Sequence, residues 1–221
     1  MTSQTPLRID FVSDVACPWC AIGLASLQQA LTRLDGTVNA EIHLQPFEVN
    51  PQLPPEGEDA NERQMGKYGI SEEQLEARRA VIRERAAAFG IAFNTHKGSR
   101  VYGTFDAHRL LHWAELQNRA LALALKRILQ RAYFSDDENI SNHEVLVRLA
   151  REAGLDADAA RRVLEGGEYA DAVRTQERHF QQAGVHSVPT IIINGQHLIS
   201  GGQPPEVFEQ ALRQIAGANG A

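Results

Sequence analysis

The sequence predicts an α/β fold in which a β-α-β unit and a β-β-α unit are separated by a large all-helical insertion. Apolar and polar residues alternate over residues 7–12 and again over 38–45, as in half-buried strands, and a helical pattern lies between them. The β-strand signal returns only after residue 187, where a run of isoleucines is followed by Asn194-Gly195, which predicts a two-residue hairpin turn. The long stretch in between carries helical spacing instead, so the sheet is assembled from the two ends of the chain.

The first unit begins with a strand that places Leu7, Ile9 and Phe11 on one face. The helix that follows ends near Gly36, which suits a helix C-terminus, and a second strand comes next. If the helix is the crossover between two strands of one sheet, the strands are parallel. The loop before the helix then lies at the carboxyl end of strand one, where open α/β sheets place their functional sites.

The helical insertion starts after a proline-rich loop at residues 50–57. Ser71 and Gln74 form a predicted capping box for a helix that stops at Gly90. We assign residues 1–52 and 185–221 to one domain and residues 53–184 to the insertion. Further helices are predicted from Thr104, around Leu121 to Tyr133, from a second capping box at Ser141, over Ala157 to Leu164, from Tyr169 to Gly184, and at the C-terminus around Phe208 and Leu212.

The chain has two cysteines, and they form Cys17-Pro18-Trp19-Cys20 at the start of the first helix. Pro18 suits the first helical position, so Cys17 is predicted at the N-cap with free backbone N–H groups facing its sulfur. The helix dipole at that position can lower a cysteine pKa from about 8.5 to about 3.5–7.5. We therefore predict that Cys17 is the nucleophile and Cys20 the resolving thiol, with Trp19 as a partly exposed wall of the site.

Composition excludes several other classes of function. The chain of 221 residues has a formal net charge of -6 and no basic run, which argues against nucleic acid and anionic membranes as partners. We see no secretory leader and no run of roughly 18 apolar residues, so we expect a cytoplasmic protein. In that reducing compartment a C-x-x-C motif is more often catalytic or metal-binding than a structural disulfide.

The order of elements and five short motifs resemble the DsbA-like branch of the thioredoxin superfamily, and within it the FrnE-type dithiol-disulfide isomerases. The motifs are Cys17-Pro18-Trp19-Cys20 with Ile22-Gly23, Asp106-Ala107-His108-Arg109-Leu110-Leu111, Arg131-Ala132-Tyr133-Phe134, Ala153-Gly154-Leu155-Asp156 and Val188-Pro189-Thr190.

The resemblance implies a thiol-disulfide oxidoreductase that acts on protein or small-molecule thiols and disulfides. It implies a cis peptide between Val188 and Pro189 beside Cys17, with the Val188 backbone available to an incoming peptide or thiol. No bound cofactor or metal is expected, although glutathione is a candidate co-substrate. The oligomeric state is left open.

Four further residues are candidates for the substrate cleft: Asp14, Tyr102, Thr104 and His108. A charged Asp14 near Cys17 would raise the pKa of that thiol and so oppose the helix dipole. Tyr102 and Thr104 flank Gly103 in a loop before a helix, where the branch often has Asn-Thr. Phe11 stands six residues before Cys17, where many thioredoxin-like proteins carry a buried carboxylate, so any proton relay must differ.

Two alternatives remain at this point. His108 and His112, at helical i, i+4 spacing, could join the two cysteines as four zinc ligands. The fold could also serve a glutathione-linked isomerase or a non-redox ligand-binding protein. Isomerases of the hydroxychromene-carboxylate type resemble this pattern but usually lack the second cysteine, so the presence of both thiols favours redox chemistry.

Overall fold

The computed structural model describes residues 6–54, 56–96 and 98–218 and confirms the α/β fold with its helical insertion. The elements in chain order are β1 (Leu7–Ser13), α1 (Pro18–Arg33), β2 (Ala40–Pro46), β3 (Glu58–Asp59), α2 (Ala60–Tyr68), α3 (Glu72–Ala87), β4 (Arg100–Val101), α4 (Phe105–Gln117), α5 (Arg119–Phe134), α6 (His143–Glu152), α7 (Ala157–Gly166), α8 (Ala170–Gln182), β5 (Thr190–Ile193), β6 (His197–Ser200) and α9 (Pro205–Ala218).

The main sheet has four strands in the order β2-β1-β5-β6. Strands β1 and β2 are parallel, as the crossover by α1 predicts, while β5 is antiparallel to both β1 and β6. Asn194 and Gly195 join β5 to β6 with positive φ angles of 52° and 68°. Such angles at both central residues are what a tight hairpin turn between twisted strands requires. The two ends of the chain therefore share one sheet.

Helix α1 lies between two hydrophobic cores. Leu24 and Leu27 are buried with the sheet and α9, whereas Ala21 and Ile22 are buried with the helices of the insertion. The first turn of α1 consequently sits where the two cores meet. The domain boundaries at residues 52 and 185 stay a prediction.

Local details depart from the sequence-based expectations at three places. Helix α6 is capped by Asn142, whose side chain accepts hydrogen bonds from the N–H groups of Glu144 and Val145, so the predicted Ser141 cap was wrong by one residue. Helix α4 does begin after Thr104, but this threonine makes no side-chain capping hydrogen bond. The insertion also contains the two-residue ladder β3-β4, which is too short to leave an alternation pattern. The Ser71 and Gln74 capping box is confirmed.

In the part of the chain that the structure describes, no helix combines the length and the apolar character needed to cross a membrane.

Candidate active site

The two cysteines occupy the first turn of α1, as predicted. Cys17 is the N-cap residue in an extended conformation, and Pro18 opens the helix. The Cys17 carbonyl accepts hydrogen bonds from the N–H groups of Cys20 at 3.1 Å and Ala21 at 3.3 Å. Both thiols are free, and the Cys20 thiol lies close enough to donate a hydrogen bond to the sulfur of Cys17.

The strand-entry loop before β5 forms the second side of the site. The Val188–Pro189 peptide bond is cis, as the resemblance implies. The sulfur of Cys17 lies 3.7 Å from the carbonyl oxygen of Val188, to which its thiol donates. Cys17 keeps 9% of its surface exposed, whereas Cys20 has none. Cys17 also lines the cavity described below, so a substrate can reach Cys17 but not Cys20.

The surroundings of the two thiols separate their acidities. The pKa of Cys17 is lowered, first by the hydrogen bond from the Cys20 thiol and then by the N–H groups of Cys20 and Trp19, against the effects of burial and of the Asp14 charge. The Cys17 side chain makes no capping hydrogen bond of its own. Burial, followed by the neighbouring Cys17, raises the pKa of Cys20 well above its ordinary value. Cys17 is therefore the thiol that ionises first.

Two glycines allow the loops to approach α1 closely. A Cβ atom on Gly23 would come within 3.0 Å of the Pro189 ring, and one on Gly202 would come within 2.9 Å of the Trp19 carbonyl oxygen. Real Cβ atoms almost never approach other atoms as closely as the second distance. The absence of side chains lets the Val188–Pro189 loop pack against Gly23 and lets the loop after β6 pack, at Gly202, against the first turn of the helix.

Asp14 points inward and anchors a buried polar cluster behind the cysteines. Its carboxylate accepts a hydrogen bond from the N–H of Val49 at 2.7 Å and lies 3.3 Å from Nε2 of His108. Thr104, which does not cap its own helix, contributes a further side-chain hydrogen bond. Burial raises the pKa of Asp14, but the bonds from His108, Val49 and Thr104 outweigh it, so the net pKa is lowered and the group is a carboxylate.

A fully buried lysine stands behind the two thiols. Lys126 on α5 is 1% exposed, and the acidic groups that act on it are Cys20, Asp14 and Cys17 in that order. Burial lowers the pKa of Lys126, and the three acidic groups oppose that effect. The sequence analysis missed this residue. The sequence feature that could have identified Lys126 is its position: it lies four residues after the buried Ala122, so a charged residue falls on the apolar face of α5.

A cavity of about 830 Å³ opens beside Cys17. Of the four predicted site-shaping residues, Pro18, Trp19 and Val188 line it and Pro189 does not. Of the four predicted cleft residues, none lines this cavity. Asp14, Thr104 and His108 form the buried cluster described above. The ring of Tyr102 packs against Gly57. The place of these four residues in the substrate cleft stays a prediction, and the lining of this cavity comes in large part from α2, α3 and residues 93–95 and 99–101.

The zinc alternative lacks its ligand set. Nδ1 of His112 lies 3.3 Å from the side chain of Gln176, and its ring stacks against Tyr169, whereas His108 faces Asp14. Over residues 6–54, 56–96 and 98–218, no group of three or more His, Cys, Asp or Glu side chains is arranged to hold a metal ion. The geometry is that of a dithiol pair.

The family model for the DSBA-like thioredoxin domain matches residues 8–213. The chain belongs to this family. The match spans both sheet-forming ends and the helical insertion, and it agrees with a site made of a C-x-x-C pair and a cis-proline loop.

Individual relatives agree with the family match. The uncharacterized protein YwbO of Bacillus subtilis is 30% identical over 207 residues, which are 93% of this chain and 96% of that protein. A probable DsbA oxidoreductase from Streptomyces coelicolor superposes with a TM-score of 0.87 at 37% identity, covering 96% of this chain and 90% of that one. The cytosolic disulfide reductase DsbM from Pseudomonas aeruginosa, solved with GSH, shares the fold at 20% identity and a TM-score of 0.67, with 94% and 98% of the chains covered.

Proposed function

We propose that this protein is a thiol-disulfide oxidoreductase with dithiol-disulfide isomerase activity, which works in the cytoplasm through Cys17 and Cys20. The observation that carries the proposal is the asymmetry of the pair. One thiol is reachable and has a lowered pKa, while its partner three residues later is buried and has a raised pKa. A two-step disulfide exchange needs one accessible thiolate that attacks and a second thiol that resolves the mixed disulfide.

In the first step the Cys17 thiolate attacks one sulfur of a substrate disulfide. The substrate S–S bond breaks, a mixed disulfide forms through Cys17, and the leaving sulfur departs as a thiolate that takes up a proton. Cys20 then loses its proton and attacks the Cys17 sulfur. The second substrate thiol is released, the protein carries a Cys17–Cys20 disulfide, and two electrons have passed to the substrate. An external thiol restores the dithiol, and the reverse sequence oxidises a dithiol substrate.

Isomerase activity would follow from the same first step. If the substrate itself contains another thiol, that thiol can resolve the mixed disulfide before Cys20 does, and the substrate leaves with a rearranged bond. The raised pKa of Cys20 supports this route, because a slow resolving thiol gives the substrate time to rearrange.

We further propose glutathione as the thiol that returns the protein to its reduced state. A neighbour with the same fold, the cytosolic disulfide reductase from Pseudomonas aeruginosa, was solved with GSH. The cavity beside Cys17, at about 830 Å³, is within the range of about 300–1,000 Å³ that small-molecule ligands occupy. Reduction and rearrangement of disulfide substrates are both compatible with this supply of electrons.

Equilibration with glutathione redox buffers tests the proposal. Free thiols are quantified after acid quenching, in the wild type and in Cys17→Ser and Cys20→Ser. The wild type should lose two thiols together in one reversible transition and form an intramolecular disulfide. Cys17→Ser should be inert and Cys20→Ser should stop at a mixed disulfide with glutathione. A wild type that forms no internal disulfide at any buffer ratio would contradict the oxidoreductase assignment and favour a non-redox ligand-binding role.

A further inference from the structure

The cavity beside Cys17 is cationic, although the whole chain carries a formal net charge of -6. The carboxylates in its wall are Glu48 and Asp137. Glu48 forms an ion pair with Arg174, which Glu177 shares, and Asp137 lies 3.3 Å from Nε2 of His96. The arginine and lysine side chains in the wall outnumber them: Arg63, Lys67, Arg78, Arg79 and Arg100.

Most of these cations have no carboxylate partner. Arg63 is paired with Glu58 at 2.6 Å. For the other four, no described carboxylate lies within ion-pair distance. Their contacts are neutral: Lys67 with the Val49 carbonyl and the Asn50 side chain, Arg78 with the Tyr68 ring, Arg79 with the Asn61 side chain, and Arg100 with the carbonyls of Glu56 and Gly57.

Arg79 is the most unusual member of this group. It is only 8% exposed, and its guanidinium donates to the neutral Asn61 Oδ1 at 2.6 Å. Asn61 is itself buried. A buried charge is costly unless an opposite charge and hydrogen bonds compensate for it. A guanidinium carries five N–H donors in a planar fork that matches a carboxylate, so most of its binding capacity is left for a group inside the cavity.

We propose that this cavity selects small disulfides that carry carboxylate groups, and that Arg79 binds one of those carboxylates while Cys17 attacks the disulfide. The inference rests on the proposed oxidoreductase function and names its substrate class. Cys17, Trp19 and Arg79 line the same cavity, and the proposal places one bound molecule against all three. The reaction is the two-step exchange written above, with the substrate disulfide as the electron acceptor and an external thiol as the reductant.

Three further cations in the cavity wall attract the same carboxylate-bearing ligands: Lys67, Arg78 and Arg100. Lys67 lies on α2, Arg78 on α3 and Arg100 on β4, so the positive charge is spread over three elements of one wall. A cleft lined by one sign of charge raises the local concentration of ligands of the opposite sign. This attraction weakens as salt screens it, with a screening length of about 10 Å at 0.1 M ionic strength.

Three disulfides of similar length and different charge test the inference: dithiodipropionate, a dianion; hydroxyethyl disulfide, which is neutral; and cystamine, a dication. Each kcat/KM is divided by the rate of the same disulfide with dithiothreitol alone, which removes intrinsic reactivity. We expect the corrected kcat/KM to fall in the order dianion, neutral, dication. Added salt should reduce the value for the dianion and leave that for the neutral compound unchanged.

The variant Arg79→Gln keeps a donor for Asn61 and removes the charge. It should lower kcat/KM for the dianion by about tenfold, mainly through KM, and leave the neutral disulfide unaffected. Arg85→Gln is the matched control, since Arg85 is an exposed arginine of the same helix outside the cavity wall, and it should change neither. If Arg79→Gln does not fold, the corrected kcat/KM values of the wild type for the three disulfides, with their salt dependence, still test the charge selection.

Equal corrected values for the three disulfides would overturn the charge selection and leave the oxidoreductase function standing. An unchanged preference in Arg79→Gln would remove Arg79 from the recognition site. Failure of all three disulfides to react would contradict the proposed function itself.

Discussion

The sulfur of Cys17 and the carbonyl oxygen of Val188 lie 3.7 Å apart, although 171 positions separate the two residues in the chain. Cys17 comes from the first turn of α1, and Val188 from the loop that enters β5. The contact exists because β1 and β5 are neighbours in the sheet, with the helical insertion between them in sequence. A disulfide that reaches Cys17 must therefore also meet the Val188 backbone.

Brief treatment of the reduced protein with iodoacetamide should alkylate Cys17 and leave Cys20 unmodified. Cys17 lines the cavity and has a lowered pKa, whereas Cys20 is fully buried and has a raised pKa. Peptide mapping by mass spectrometry gives the site. The rate should rise with pH through a midpoint below the ordinary cysteine value of about 8.5 and then level off. Preferential labelling of Cys20 would reverse the assigned roles.

Asp14→Asn should shift the pH profile of Cys17 alkylation to lower pH. The Asp14 carboxylate raises the pKa of Cys17, so loss of its negative charge lowers that pKa and increases the thiolate fraction at any pH below the midpoint. Asp158→Asn, at an exposed position of α7, makes the same charge change as a control. A shift toward higher pH in Asp14→Asn, with Asp158→Asn unchanged, would mean that Asp14 acts through structure rather than charge.

Lys126→Met should slow the resolution of the mixed disulfide more than its formation. The positive charge of Lys126 lowers the pKa of Cys20, so its removal makes the Cys20 thiolate harder to form. A change of one pKa unit corresponds to a rate effect on the order of tenfold. Stopped-flow measurement with an aromatic disulfide separates the two phases.

Arg127→Met serves as the control for Lys126, since Arg127 is the exposed neighbour on the same helix. It should leave both phases unchanged. If Lys126→Met melts at the wild-type temperature and also resolves the mixed disulfide at the wild-type rate, Lys126 does not assist Cys20.

Gly23→Ala should impair disulfide exchange, because its methyl group would meet the Pro189 ring at 3.0 Å and press the Val188 loop away from Cys17. Overpacking of this kind costs about 1–3 kcal/mol in stability. Gly66→Ala in α2 has no atom within 4 Å of its added methyl and should stabilise the helix by about 0.5–1 kcal/mol. Denaturant unfolding and turnover of both variants provide the comparison. Wild-type turnover and stability in Gly23→Ala would show that the contact is not needed.

Much of the fold follows from local sequence patterns. The alternating pattern predicts strand β1, although its residues from Ile9 to Ser13 are buried on both faces of the sheet. The Asn194-Gly195 pair predicts a turn with two positive φ angles. The N-terminal position of Cys17 on α1 follows from Pro18 in the same way. The cis peptide bond before Pro189 is predicted from the resemblance to the family, because the local residue pattern does not reveal it.

The parts that escaped prediction depend on which helices of the insertion meet. Thr104 looks like an ordinary N-cap in sequence, but its side chain forms a hydrogen bond with Asp14, which the tertiary structure brings to the start of α4. Arg79 lies in a strongly charged stretch typical of a solvated helix face, yet it is buried against Asn61 of α2. The pattern of residues within one helix does not predict which other element that helix contacts. Both contacts are therefore seen only in the tertiary structure.

The central claim is that Cys17 attacks and Cys20 resolves, and trapping the intermediate tests it most directly. Cys20→Ser is mixed with a disulfide-bonded substrate at neutral pH, quenched with acid, digested without reduction and mapped by mass spectrometry. We predict a mixed disulfide on Cys17 that persists in Cys20→Ser and decays in the wild type to an internal disulfide. A lasting adduct on Cys20 in Cys17→Ser, with none on Cys17 in Cys20→Ser, would contradict the account.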